Sequence, residues 1–331
     1  MSNISLTASM RSNLLSLQNT QGLMDLTQER LSTGKKVNSA IDNPSSYYTA
    51  QSLSNRASDL SALLDSMGQA IQTIKAADEG IEAITNFAQQ AKAVAQSAAD
   101  SSDASERAAY MDQFNEIMDQ INAVAEDSSY KGINLLGGTD NKLTVKFSEK
   151  ENSKLVIDGV DASTDGGENS LNIDEAADWG KVSDYTTLEE TIDTTKDAYD
   201  DLLADEDAVA GDIANAKSAY DDAVKALADQ KADDLEAQNE AIADAISAVE
   251  TAIGKLRNWS SEFGNNYSIV QSREEFTENL INVLTEGADK LTLADMNEES
   301  ANMLALQTRQ QLAINSLSLA SQASQSVLKL F

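Results

Sequence analysis

Four carboxylates, Asp158, Asp161, Asp165 and Glu168, are spaced along a Gly- and Asp-rich stretch like the oxygen ligands of a calcium loop. Such a loop closes on a bidentate Glu. Asn172 stands at that position, and an amide offers one neutral oxygen where the ion wants two charged ones. The stretch therefore reads as a solvated acidic loop, and no metal or cofactor is assigned. With 0 His and 0 Cys, the chain lacks the usual general base, the Ser/His and Cys/His nucleophile pairs, the imidazole zinc ligands and any disulfide framework. An HExxH zinc peptidase is impossible for the same reason. Catalysis would have to rest on carboxylates, Lys or Tyr alone; no catalytic residue is assigned, and the chain is read as no enzyme.

The elements around these residues are built for another purpose. A chain of 331 residues with 41% hydrophobic content is long enough for a real core. Only 5% aromatics and 1 Pro favour helices packed at close range. Both ends are nearly uncharged: Arg11 and Asp25 are the only charged side chains from Met1 to Gln28, and Arg309 and Lys329 the only ones from Ser300 to Phe331. Met10, Leu14, Leu17, Gln21, Met24, Gln28 and Leu31 repeat at alternating four- and three-residue steps. Leu306, Gln310, Ala313, Leu317, Ala320, Ser324, Val327 and Phe331 do the same. Heptad spacing gives each end an apolar seam that needs a partner helix. The rest of each end is mostly Ser, Asn, Gln and Thr, which can be buried without the cost of burying charge. An ordinary coiled-coil dimer and a larger assembly both fit these seams.

Charge separates the ends from the middle. The formal net charge is −31, and residues 140–250 hold 30 of the 55 acidic side chains against 9 of the 24 basic ones. So acidic a surface repels nucleic acid and anionic membranes, so neither is expected as a partner. The opening residues lack the basic and apolar blocks of a secretory signal peptide, and no stretch approaches the ~18 apolar residues of a membrane span.

Helical periodicity predicts a first helix from about Leu6 to Thr33, closed by Gly34, and a second from about Ser45 to Asp100 with Asn43 as N-cap and Pro44 at its first position. A third runs from Ser105 to about Ala125. The period then changes from 3.6 to 2: Leu143, Val145 and Phe147 form an inward strand stripe, and Lys154 to Ile157 a return strand. Residues 158–183 are only weakly patterned. Two acidic helical stretches follow between Tyr185 and about Lys231, parted near Asp205 to Gly211, with Asp205-Glu206-Asp207 and Asp233-Asp234 read as solvent faces and turns. The last long helix is expected from about Leu235 to Asp289 and the terminal helix from about Asn297 to Leu330. The fold class is therefore mainly α: a long antiparallel coiled-coil bundle formed by the N- and C-terminal segments, with a small β-hairpin and an acidic outer α/β insert.

The run Glu29 to Ala40, Asp78-Glu79-Gly80 read as a helix break, Gln96-Ser97-Ala98 and Tyr130 to Leu136 resemble the N-terminal core of bacterial flagellin. Ala294-Asp295, Met303, Ser321-Gln322-Ala323 and Ser326 to Phe331 resemble its C-terminal core. The resemblance covers roughly 1–147 and 236–331, and Asp42-Asn43-Pro44 with the Leu-Lys-Leu-Phe end is similar to alphaproteobacterial flagellins.

The resemblance implies an extracellular filament subunit for swimming. It further implies export in the unfolded state by the flagellar type III apparatus, with a chaperone on the C-terminal segment, and insertion beneath a filament cap. It implies segments 1–43 and 291–331 as the two halves of an inner core layer, and 44–139 and 236–290 as the halves of a helical outer tube. Segment 140–183 is then a hairpin and surface loop, and 184–235 an acidic helical surface insert. Met10, Leu14, Leu17, Met24, Leu31, Leu306, Ala313, Leu317, Ala320, Val327 and Phe331 become the self-assembly interface. Flagellins sensed by the vertebrate Toll-like flagellin receptor carry Arg, Leu and Glu where this sequence has Gln89, Ala93 and Gln113, which implies poor receptor activation. A hook–filament junction protein shares the same terminal pattern and stays open as an alternative.

Overall fold

The computed structural model describes residues 8–150, 152–165, 167, 169–205 and 209–329. Its helices are α1 (Ala8–Thr33), α2 (Pro44–Asp100), α3 (Ala104–Asp127), α4 (Thr186–Ala204), α5 (Ala210–Thr292) and α6 (Met296–Lys329). Between α3 and α4 lie two antiparallel pairs: β1 (Ser129–Tyr130) with β2 (Ile133–Asn134), and β3 (Lys142–Lys146) with β4 (Lys154–Asp158). The class is mainly α with a small hairpin, as expected. Two compact units result, one of residues 1–64 with 275–331 and one of residues 65–274.

In the first unit α1 packs on α6. Gly34, at φ +70°, stops α1, and its amide donates to Arg30 O at 2.8 Å. The following linker is tied to the chain's other end, for Lys36 N donates to Thr292 O and Ala294 N to Gly34 O. Asp42 then gathers the linker: its carboxylate accepts from the amides of Asn38 and Ser39. Those two bonds, Ser39 first, hold its carboxyl below the usual range. Asn43 caps α2 by accepting from Ser46 N at 3.1 Å, and Pro44 opens the helix. Ala57, Leu60 and Leu284 form the core here, with Leu53, Leu63, Leu280 and Ile281 packed against it.

The second unit is a helical bundle with an extended strap. Met67, Ile71, Ile74, Ile81 and Ile84 are buried along α2, and then the seam turns small, with Ala88, Ala91, Ala95 and Ala98 wholly buried. Gly80 does not break α2 as the sequence suggested. It lies inside the helix, where a Cβ would sit 2.7 Å from Leu136 Cδ1. Asp103 caps α3 from an extended backbone, accepting from Ser105 N and Glu106 N. The turn after β1 puts Lys131 and Gly132 both at positive φ, as a two-residue hairpin with right-handed twist requires.

Two segments differ from expectation. The described residues of 159–183 form no loose surface loop. Leu171, Ile173 and Trp179 are each 1% exposed, and Trp179 meets Phe114 of α3 with ring centroids 5.0 Å apart. Asn side chains on α3 hold this strap by its backbone. Asn115 accepts from Ala176 N and donates to Ala176 O, while Asn122 accepts from Thr164 N. The second difference is α5, which runs unbroken from Ala210 through 231–235 instead of beginning near Leu235. Asp233 and Asp234 are helical, and Asp234 accepts from Ser183 N, Ser183 Oγ and the Tyr185 hydroxyl. Within 184–235 the described residues hold helix and loop only, and the strands of the outer segment lie before residue 159.

Candidate self-assembly surface

Two hydrogen bonds fix the direction of the α1–α6 pair. Arg30 Nη1 donates to Glu299 Oε1 at 2.9 Å, and Gln21 Nε2's partner oxygen, Gln21 Oε1, accepts from Gln310 at 2.8 Å. Moving back along α1 means moving forward along α6, so the helices are antiparallel. The contact stripe on α1 contains Met10, buried, and Leu14, Leu17, Met24 and Leu31, half-buried. On α6 it contains Leu306, Ala313, Leu317 and Ala320, all half-buried. Val327 lies in α6, but its side chain, like Phe331, is outside the described residues.

Two seam positions differ from the expected phase. Gln21 and Gln28 are exposed, and Thr20 and Thr27, one residue earlier, are buried at 2% and 6% exposure. Thr20 satisfies its hydroxyl locally by donating to Ser16 O at 2.8 Å. Gln21 instead sits at the edge of the pair, bonded to Gln310 and Asp25.

These residues join the two ends of one chain. What one chain leaves open is a second apolar set that the sequence reading did not single out. Leu15, Leu23 and Leu26 on α1 and Leu304, Leu312 and Leu319 on α6 are all more than a third exposed. Leu304, Leu312 and Leu319 follow steps of eight and seven residues, which keep them on one side of the helix. The spacing was the available signal, hidden because it runs beside the stronger seam. Between the helices, Leu23, Leu26, Arg30 and Leu306 line a groove of about 340 Å³. Arg30 Nε is buried there with no hydrogen-bond partner among the described residues.

Other sequence-singled residues lie in the second unit. Gln89 and Ala93 on α2 and Gln113 on α3 are exposed. Of the calcium-like set, Asp158 pairs with Lys142 at 3.1 Å and Asp161 accepts from Ser163, while Glu168 is outside the described residues. Asn172 has φ +55°, a left-handed position that Asn tolerates better than Glu. Among the described residues no group of three acidic side chains is gathered for a metal.

Residues 4–141 match the bacterial flagellin N-terminal helical region, and residues 246–331 the bacterial flagellin C-terminal helical region. The chain belongs to the bacterial flagellins. It is 29% identical over 324 residues to Flagellin C of Rhizobium meliloti (strain 1021), spanning 93% of this chain and 92% of that one. It is 27% identical over 318 residues to a flagellin of Brucella melitensis biotype 1, spanning 96% and 95%. To Flagellin FljM of Caulobacter vibrioides it is 26% identical over 322 residues, with the same spans. As a flagellin it is a structural subunit of the flagellar filament, and the alphaproteobacterial likeness extends over most of its length. No helix among the described residues of this flagellin is long and apolar enough to cross a membrane.

Proposed function

We propose that this flagellin polymerises through the α1–α6 pair, in two steps of burial. The seam of Met10, Leu14, Leu17, Met24, Leu31, Leu306, Ala313, Leu317 and Ala320 closes the pair within each chain. The outer leucines, Leu15, Leu23, Leu304, Leu312 and Leu319, then pack against neighbouring copies to form the inner layer of the filament. The observation that carries this reading is the exposure of those leucines on a surface almost free of charge, where burial costs little desolvation and removes apolar area from water. Segments 44–139 and 236–290 form the surrounding helical layer, and the acidic residues 140–235 face outward.

Delivery follows the family's route: export through the flagellar type III apparatus with a chaperone on the C-terminal segment, then insertion at the tip beneath the cap and beyond the junction proteins. Receptor activation is expected to be weak, because Gln89, Ala93 and Gln113 offer neither the charge nor the apolar anchor of a hot spot. A cell reporter assay with full potency would reject that part.

Negative-stain electron microscopy of the purified chain, after seeding or mild salting-out, tests the central reading. Long tubes of uniform width are expected from the whole chain and none from chains trimmed at either end. Tubes from an end-trimmed chain would overturn it, and short caps alone would favour the hook–filament junction protein.

A further inference from the structure

The β3–β4 hairpin has a buried face and an open one. Leu143, Val145, Phe147 and Ile157 point into the second unit, and Arg273 stacks over the Phe147 ring at 5.3 Å. The open face carries Lys142, Thr144 and Lys146 on β3 and Lys154, Val156 and Asp158 on β4. Register pairs Lys142 with Asp158, and their side chains meet. It also sets Lys146 directly opposite Lys154. Like charges facing across a ladder repel, with Cα atoms only ~5 Å apart. Neither ammonium forms an ion pair among the described residues, and Lys150 in the turn adds a third positive charge beside Glu149. Four of the 9 basic residues in 140–250 are concentrated on this one hairpin.

The opposite charge is gathered on α4. Tyr185 and, along α4, Leu188, Ile192, Thr195, Tyr199 and Leu202 are half-buried at three- and four-residue steps, which puts them on one side of the helix. Glu190, Asp193, Asp197 and Asp200 repeat at the same steps but are exposed, so they form an outward stripe of carboxylates. Neighbours on a helix face sit ~5–6 Å apart, and like pairs at that spacing destabilise the helix. The two surfaces thus carry opposite net charge: Lys146 and Lys154 are in excess on the hairpin face, and the four carboxylates outnumber the neighbouring Lys196 on α4. No ion pair joins them within the chain among the described residues.

We infer that the lysine face of the β3–β4 hairpin docks on the carboxylate stripe of α4 in a second copy of this chain. Lys146 and Lys154 would each take one carboxylate of adjacent helical turns. Val156 and Thr144, between the two charged rows, supply the contact's apolar centre, since Val156 is 44% exposed in the single chain. The inference rests on the reading that the chain polymerises, and places an electrostatic contact between outer segments in addition to the terminal helices. It is a screened, surface contact, so it matters at low salt and fades as the Debye length shrinks from ~10 Å at 0.1 M to ~3 Å at 1 M.

Filaments assembled from an equal mixture of unlabelled and nitrogen-15-labelled full chain provide the test. A water-soluble carbodiimide joins lysine amines to carboxylates in direct contact, and mass spectrometry identifies the joined peptides. The expected product links Lys146 or Lys154 to α4, carries mixed isotope labels, and is absent from soluble chain at the same concentration. In parallel, Lys146→Glu/Lys154→Glu should raise the critical concentration for assembly about three- to tenfold at low salt and less than about twofold at high salt. Adding Asp193→Lys/Asp197→Lys should restore it. Filaments that yield no mixed-label link to α4, or charge reversal without effect at low salt, would overturn the contact while leaving polymerisation standing. Failure of the wild-type chain to form filaments would sink both together.

Discussion

Gly80 lies in α2 beneath the end of α3, and a Cβ built on it would stand 2.2 Å from Ser128 Oγ and 2.7 Å from Leu136 Cδ1. Ser128 cannot swing away freely, because its hydroxyl donates to Val124 O at 2.6 Å. Gly80→Ala gains up to ~1 kcal/mol of helix propensity and loses about 1–3 kcal/mol to overpacking. A net destabilisation of about 1 kcal/mol is expected, read as a lower urea midpoint with unchanged slope. A second residue-scale device is the Tyr185–Asp234 bond. The Tyr185 hydroxyl, followed by the Ser183 amide, holds Asp234 down from 3.8 to about 2. The same bond pushes Tyr185 up from 10.0 to about 12. A depressed carboxylate stabilises above its ordinary range and loses that contribution as pH falls toward its folded value. A raised phenol stabilises below its ordinary value and loses that as pH rises through the folded one. The bond should therefore hold across the neutral range and fail at both extremes. In a tyrosinate absorbance titration, one of the 8 tyrosines should ionise late. Asp234→Asn should bring it back toward 10.0, and superimposable curves would refute the bond. Residue-scale detail was also where the sequence misled most, at Thr20 and Thr27. Two adjacent phases of the heptad differ only in Thr against Gln, and hydropathy ranks neither as apolar. Local hydrogen bonding decides: a Thr hydroxyl can serve itself from the preceding turn, whereas a buried Gln must find two partners.

At the scale of elements, the long helices were legible because their apolar residues keep one period for many turns. On α5 the buried positions Ile242, Val249, Leu256, Phe263, Val270, Thr277 and Leu284 fall every seven residues. The join at 231–235 was not legible, since Asp233-Asp234 has the composition of a turn. Its carboxylate is satisfied from outside the helix by Ser183 and Tyr185, so the helix need not end to accommodate it. The strap over 159–183 was missed for a different reason. Its buried residues follow no period, and its course is dictated by Asn115 and Asn122, which lie seven residues apart on α3 and far away in sequence. Asn115 replaces a neighbouring strand by offering donor and acceptor together to Ala176, while Asn122 accepts from the Thr164 amide and donates to the Thr164 hydroxyl. Asn115→Ala would leave the Ala176 amide and carbonyl without their partner, a cost of about 1–3 kcal/mol for buried groups. Hydrogen exchange should then speed through the strap while α1 and α6 keep their protection. Equal loss of protection in both units would show that the strap is not a separate cooperative segment.

For the molecule as a whole, the acidic helices between Ser183 and Asp234 leave and return at one point, since Ser183 Oγ donates to Asp234 Oδ1 at 2.7 Å. Replacing 184–233 by a short loop removes 15 acidic and 4 basic side chains without opening the bundle below. Filaments should still form, and their formation should depend less steeply on salt, as sedimentation at graded ionic strength would measure. Loss of assembly would mean that the insert carries more than an outer contact. The terminal pairing has one more consequence, and it concerns time. Arg30 and Glu299 are 269 residues apart in sequence, so the seam they help to close cannot begin until almost the whole chain is available. Bringing such distant segments together costs only ~0.6 kcal/mol more for each doubling of the intervening length, so the wait is set by delivery and not by closure entropy. A chain cut short anywhere before α6 would present one lone amphipathic end and no groove. Under the proposed assembly, completion of the molecule is built into the surface by which copies meet, and an unfinished copy would exclude itself.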